Sequence, residues 1–396
     1  MSILLKTQMI YSQYLKALKI ILILMFATSV AFGQDIAFAR KIVDTLASPY
    51  FWGRGYTKDG LKKTADFLKN EFRSYGLKPL VGDSYFQEFT FQVNTFPGEM
   101  KVSVNGLRLQ PGKDFIVGAE SKGAKINTKL VKTDNTHYQD DKHRIIVSLE
   151  DKLTWSVSQW PLKYTSIKID KRAIKLAPKQ ININIENKVL SHFKANNICG
   201  IVKGKLNPDS LIVITAHYDH LGGMGRDTYF PGANDNASGV ALLLSLAKHY
   251  AANPPDFSVV FICFAGEEAG LLGSKYFSEN PLVNLKNIRF LINTDLAGTG
   301  EEGITVVNAT IFKKEYALLN SINNQYKYLV KINSRGKAAN SDHYWFTQKG
   351  VPSFFIYTMG GIRAYHDIYD RSATLPLNEH EDLFRLLVKF NKELME

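Results

Sequence analysis

Four apolar runs in the second half of the chain each lead into residues that can bind protons or metal ions. LIVIT (211–215) is followed by His217 and Asp219, VVFICF (259–264) by Glu267 and Glu268, FLINT (290–294) by Asp295, and FFIYT (354–358) by a loop holding His366. A fifth group, Asp235, lies in GANDNASG, just ahead of an apolar helical stretch. Singly, each has an ordinary explanation: a polar strand end, a helix N-cap, or an acidic first turn favoured by the helix dipole. Together they form a coherent set, because two imidazoles and three carboxylates are ligands suited to zinc. Carboxylates crowded at one edge resist ionisation unless cations neutralise them. Two divalent ions about 3.5–4 Å apart, bridged by one carboxylate, would relieve that repulsion and activate a shared water. The adjacent side chains of Glu267 and Glu268 leave the backbone in different directions. One can bind metal while its neighbour serves as a proton acceptor.

The elements that must position these residues follow from the same runs. Continuous apolarity is the pattern of strands buried on both faces. Helical stretches fall between them at Ala237–Tyr250, Ala269–Phe277 and Phe312–Tyr326. The alternation predicts a three-layer α/β/α domain with a mainly parallel mixed sheet, in which ligands bind at the carboxyl ends of strands. Upstream, Thr57–Lys78 has helical spacing of Leu61, Ala65, Phe67, Leu68 and Phe72, with Gly76 as a C-terminal cap. Between them the period changes to two: KVSVNGLRL reads as a hairpin about Asn105-Gly106, and IKIDKRAIKL and QININIEN alternate likewise. The predicted organisation is a leader at 1–33, an N-terminal helical segment at 34–86, a β-rich insert at 87–195 and a catalytic domain at 196–396.

The leader expectation rests on Lys6, Lys16 and Lys19, the apolar run Ile20–Phe32, and small residues Ala31 and Gly33 before Gln34. That is a signal-peptide pattern and shorter than a bilayer span. It predicts an exported protein, periplasmic or secreted, without stable membrane association after cleavage. The chain carries a formal charge of +12, and residues 122–195 alone contribute +8. These charges alternate with apolar residues, which predicts a solvated sheet face rather than a nucleic-acid surface. Neither a phosphate-cradling loop nor a serine nucleophile elbow occurs. The two cysteines, Cys199 and Cys263, sit in apolar strand-like stretches and are expected as buried free thiols. His137, His143, His192, His249 and His380 are expected at the surface, His220 and His343 as structural or pocket-lining.

Five ordered motifs then carry a resemblance: HYDHLG (217–222), GANDNASGVALLL (232–244), FAGEEAGLLGS (264–274), NTDLAG (293–298) and AYHDIYD (364–370). They resemble the co-catalytic di-zinc aminopeptidases, metallopeptidase family twenty-eight, and SDHYWFTQKGVPS (341–353) and LASPYFWGRGYTKDGLKKTADFLKNEF fit as well. The resemblance implies two zinc ions, one held by His217, Asp235 and Asp295, the other by Asp235, Glu268 and His366, with Asp235 as bridge. It further implies Glu267 as general base, Asp219 orienting His217, and hydrolysis of the amino-terminal bond of peptide substrates. Two departures stand out: Asp367 follows His366 where a small hydroxyl residue is more usual, and the β-rich insert, expected as a lid or a reduced protease-associated-like domain, is short and unlike the larger protease-associated domain of many relatives. A glutaminyl cyclase of the same fold, a carboxypeptidase or dipeptidase, and a non-catalytic binding module are the competing readings. The motif HYDHLG with GANDNASG favours a peptidase, and the full ligand set disfavours a binding module.

Overall fold

The structure is a computed structural model that describes residues 36–396. The expected leader, 1–33, lies outside the described residues.

Among the described residues a nine-stranded mixed sheet forms the centre. Its middle consists of four parallel strands ordered Phe257–Phe264, Asn207–His217, Ile288–Thr294 and Ser353–Thr358. Each contains one of the apolar runs, and alternate residues serve opposite layers. Ile212 and Ile214 pack with helices Gly60–Tyr75 and Gly239–Ala252. Leu211 and Val213 pack with Phe277 and Phe346, on helices Leu272–Glu279 and His343–Gln348. That two-sided burial is why these strands are apolar throughout. Cys199 and Cys263 are both buried and unpaired. The expected helix around residues 57–78 spans Gly60–Tyr75, and Gly76 caps it by donating its N–H to Arg73 and Phe72 carbonyls.

The β-rich region is built on two long strands, Phe86–Thr95 and Lys188–Val202, paired antiparallel with a bulge between Leu190 and Phe193. The second strand runs unbroken through residue 195 into the central sheet, where it pairs with Phe257–Phe264. Between the long strands lie a four-stranded and a five-stranded sheet. The hairpin forms at Asn105-Gly106, where both residues have positive φ (49° and 86°), as a two-residue primed turn requires. Ile181, Ile183 and Ile185 point into the core of this region while Gln180 and Asn182 face solvent. The exposed Lys122, Lys125 and Lys129 make the basic charge a solvated face. The core of the region also takes in Leu221, Met224 and Phe230 from the loop that follows His217. Insert and site loop therefore share one apolar cluster.

No helix among the described residues is long and apolar enough to cross a membrane. His380 departs from its expected surface position. It is 1% exposed, beside Ser245 on the helix Gly239–Ala252, because the C-terminal helix His380–Met395 docks along it.

Candidate metal centre

His217 is the last residue of its strand and Asp295 follows the next strand directly. His217 Nε2 lies 3.4 Å from Asp235 Oδ1 and 3.3 Å from Asp295 Oδ2. On the other side, His366 Nε2 lies 3.0 Å from Asp235 Oδ2 and 3.3 Å from Glu268 Oε2. Asp235 thus turns one oxygen to each imidazole. Charge-assisted hydrogen bonds would be about 2.7–2.9 Å long. Two donors held about 2.0–2.2 Å from a single tetrahedral ion lie about 3.3–3.6 Å apart, and three of the four separations fall there. Asp235 Oδ1 and Asp295 Oδ1 are buried and accept no hydrogen bond. Buried carboxylate oxygens without donors call for a cation, and the donor set of imidazole nitrogen and carboxylate oxygen suits a divalent one. The residues present fit divalent metal.

The tautomers are fixed from behind. His217 Nδ1–H donates to the Asp219 carbonyl oxygen at 3.2 Å, with the Asp219 carboxylate 3.7 Å away. His366 Nδ1–H donates to the carbonyl oxygen of Trp155 at 3.0 Å. A carbonyl can only accept, so both Nε2 atoms face the carboxylates with a free lone pair once deprotonated.

Asp235 stands in a turn, Ala233–Ser238, ahead of the helix Gly239–Ala252, and does not cap it. The Asp235–Asn236 peptide is cis. Asp370 holds this turn by accepting from the N–H groups of Asn234 (2.8 Å) and Asp235 (3.0 Å). Gly232 has φ 59°, and a Cβ there would lie 2.2 Å from the Asp235 carbonyl oxygen and 2.4 Å from the His220 ring. Arg54, fully buried, donates to the carbonyl oxygens of Leu46, Tyr218, Pro231, Gly232 and Asp235. One guanidinium so joins the N-terminal segment to both loops that carry His217 and Asp235.

Glu267 and Glu268 were expected at a helix start, but the helix begins only at Leu272. They occupy a preceding turn, fastened by the Asp219 carboxylate, which accepts from the N–H groups of Glu267 (3.1 Å) and Glu268 (3.3 Å). The Tyr56 hydroxyl donates to the same carboxylate at 2.9 Å. Asp219 therefore does more than back His217: it sets the direction of both glutamates.

Burial first, and then neighbouring carboxylates, raises the Glu267 pKa well above the ordinary range, against the pull of His217. Glu268 is raised to about 8, by burial and then by Asp235. His366 is lowered by burial yet held at about 9 by Glu268 and Asp235. Burial pushes Asp342 and Asp370 up to about 7. Without metal the site holds protons that a cation would displace.

All five expected metal ligands meet here, and Asp219 and Glu267 stand beside them. His220, expected only near the site, donates through Nδ1–H to Glu268 Oε1 at 2.7 Å, a hydrogen-bond distance. Its donor atoms also group with Asp235 and Glu268. Burial keeps His220 neutral, so it acts as a donor that aims Glu268, whereas His366 stands at the ligand spacing. Arg54, Tyr56, Trp155 and Asp370 were not singled out from sequence. Tyr365, which precedes His366, stacks on its ring with centroids 4.0 Å apart.

Residues 197–390 match the model described as peptidase family M28. Through them the chain belongs to peptidase family M28. Aminopeptidase YwaD of Bacillus subtilis is 29% identical over 253 residues, which are 61% of this chain and 54% of that protein. A probable zinc metalloprotease of Pyricularia oryzae is 38% identical over 114 residues, 28% of this chain and 23% of that one. The chain thus spans from about a quarter to about half of the length of these curated relatives. The M28 fold is matched in the solved zinc aminopeptidase BSAP from Bacillus subtilis (TM-score 0.69, 18% identity, 91% of this chain and 95% of that one). An aminopeptidase from Aneurinibacillus sp. strain AM-1 matches similarly, with a TM-score of 0.65, 18% identity, and 91% and 94% of the two chains covered.

Proposed function

We propose that this M28 chain is a zinc-dependent aminopeptidase that hydrolyses the amino-terminal bond of peptides. The observation that carries the reading is the Asp235 carboxylate turned to two imidazoles, one oxygen to each, with Asp295 and Glu268 closing the two sides. His217, Asp235 and Asp295 would hold one zinc, and Asp235, Glu268 and His366 the other. Zinc bound there supplies Lewis acidity, which lowers the pKa of water and polarises a carbonyl.

The remaining steps belong to the protein. The Glu267 carboxylate, partly open to the surface, takes a proton from the attacking water as its oxygen bonds to the peptide carbonyl carbon. It returns that proton to the amine nitrogen as the C–N bond breaks, so one water is consumed per bond. Asp219, held by Tyr56, keeps Glu267 and Glu268 in place. Among the described residues no lysine or arginine forms an ion pair with these carboxylates. Such a site favours a substrate's α-ammonium over an α-carboxylate, which supports exopeptidase action at the amino end. The basic and apolar run before residue 34 supports export to the periplasm or medium.

Two measurements test the reading. Purified protein should contain zinc, lose activity on chelation and regain it with added zinc. Acetylating the substrate's amino terminus should stop turnover. Full activity in metal-free protein would overturn the metal assignment, and equal rates on blocked and free peptides would overturn the aminopeptidase assignment.

A further inference from the structure

The segment Lys152–Gln159 leaves the β-rich insert and runs beside the metal centre. At its middle the peptide groups of Trp155 and the residue His366 form a reciprocal pair. The Trp155 N–H donates to the His366 carbonyl oxygen at 2.9 Å, and His366 Nδ1–H donates back to the Trp155 carbonyl oxygen at 3.0 Å. At one end, Lys152 Nζ donates to the Arg363 carbonyl oxygen at 2.9 Å and lies 3.4 Å from the Asp367 carboxylate. At the other end, Gln159 Nε2 donates to the Ala269 carbonyl oxygen at 2.9 Å. Ala269 directly follows Glu268. The segment so ties together the two loops that carry His366 and Glu268.

Its own position is set by the insert. Trp155 Nε1–H donates to the Val117 carbonyl oxygen at 2.7 Å, and its ring stacks on Phe230 with centroids 4.7 Å apart. Asn94 N–H donates to the Ser158 carbonyl oxygen at 2.8 Å, and Gln92 Nε2 to that of Gln159 at 3.1 Å. The His366 backbone has φ 53°, a conformation that a non-glycine residue keeps only where its surroundings fix it. The other ligand group is held differently. His217 ends a central strand and Asp295 follows one, so the parallel sheet itself places them.

We propose that the β-rich insert is a structural part of the second metal site: Lys152–Gln159 positions His366 and Glu268, and the affinity of the Asp235–Glu268–His366 site depends on it. The His217–Asp235–Asp295 site does not. The inference rests on the metal-binding reading above. Trp155, Gln159 and Lys152 are positioning residues, acting through the ligands rather than on the ions. Loss of groups that orient metal ligands from behind typically costs about 10–100-fold in affinity.

The test is zinc titration of the metal-free full chain against a chromophoric chelator, with zinc-edge anomalous diffraction to assign the sites. Lys152→Ala/Gln159→Ala removes only the two end ties and leaves the cores intact. Trp155→Ala removes the anchor in the insert. The expected result is two affinities in the unaltered protein. One falls about 10-fold in the double variant and more in Trp155→Ala, with occupancy lost at Glu268 and His366 alone. Unchanged affinities in the double variant would overturn the inference, as would an equal fall at both sites. Fewer than two ions bound by the unaltered protein would overturn the metal-binding reading and this inference with it. If Trp155→Ala fails to fold, the double variant still decides the matter.

Discussion

Glu267 and Glu268 have the same chemistry, and only what each faces separates them. Glu268 points at His366 and accepts from His220, whereas Glu267 has no imidazole within ion-pair distance among the described residues. The proposed roles therefore diverge on truncation. Glu268→Ala should lower occupancy of one metal, with activity partly restored by excess zinc. Glu267→Ala should keep both metals and lose about 10²–10⁴-fold in kcat, the usual contribution of a general acid–base group. Glu267→Asp should recover little, since a carboxylate one methylene shorter is drawn back from the reacting water. Metal stoichiometry measured beside kcat decides between the assignments, and a Glu267→Ala protein that loses metal would reverse them. The residues that meet at the site were legible in the sequence because all but Asp235 follow apolar strands, and a parallel sheet gathers its strand ends along one edge. The residues behind them were not. Trp155 meets His366 only through its peptide group, and the Asp370 carboxylate accepts from backbone N–H groups, so in neither case does a partner side chain in the sequence point to the role.

Loops that carry ligands are held here by elements far away in sequence. Arg54 is the strongest case, since a helix-rich segment near the start of the described chain reaches five carbonyl oxygens from the helix Ile36–Leu46 to the Asp235 turn. Burial lowers its pKa only to about 10, so it stays charged at neutral pH. Removing it leaves those acceptors buried without donors, at a cost of roughly 1–3 kcal/mol for each that no water reaches. Arg54→Ala is expected to cost about 3–5 kcal/mol in all, close to the cost of breaking a buried ionic contact. Arg54→Lys should recover little, because one ammonium offers three donors from a single point. Urea unfolding of both variants measures this, and a loss below about 1 kcal/mol for Arg54→Ala would refute it. At this scale the sequence showed the strands through apolar runs and the hairpin through Asn105-Gly106. It did not show that the strand Lys188–Val202 belongs both to the insert and to the central sheet. Residue alternation reports which face is buried, not which sheet the strand joins.

For the whole molecule, the protons held at one site make the stability of the metal-free chain depend on pH. His366 has a folded pKa of about 9 against an unfolded value near 6.5, so its stabilising contribution is complete below about pH 6.5 and lost as pH rises toward 9. Glu268, Asp342 and Asp370 are acids raised to about 8, 7 and 7. Between their unfolded and folded values the folded chain binds more protons than the unfolded chain, so stability again falls as pH rises. The buried neutral imidazoles His220, His343 and His380 act in the opposite sense, but only below about pH 6.5, where the unfolded chain would take up their protons. In the window from pH 6.5 to 9 these opposing imidazoles no longer change, and metal-free protein should lose stability steadily. Metal binding inverts the slope, because ligands must shed protons to bind and that competition weakens as pH rises. The gap in Tm between zinc-loaded and metal-free protein should therefore widen from pH 6.5 to pH 9. Calorimetric scans at several pH values, with and without chelator, measure it. A gap that stays constant or narrows would mean that the protons held at Glu268 and His366 are not those that zinc displaces.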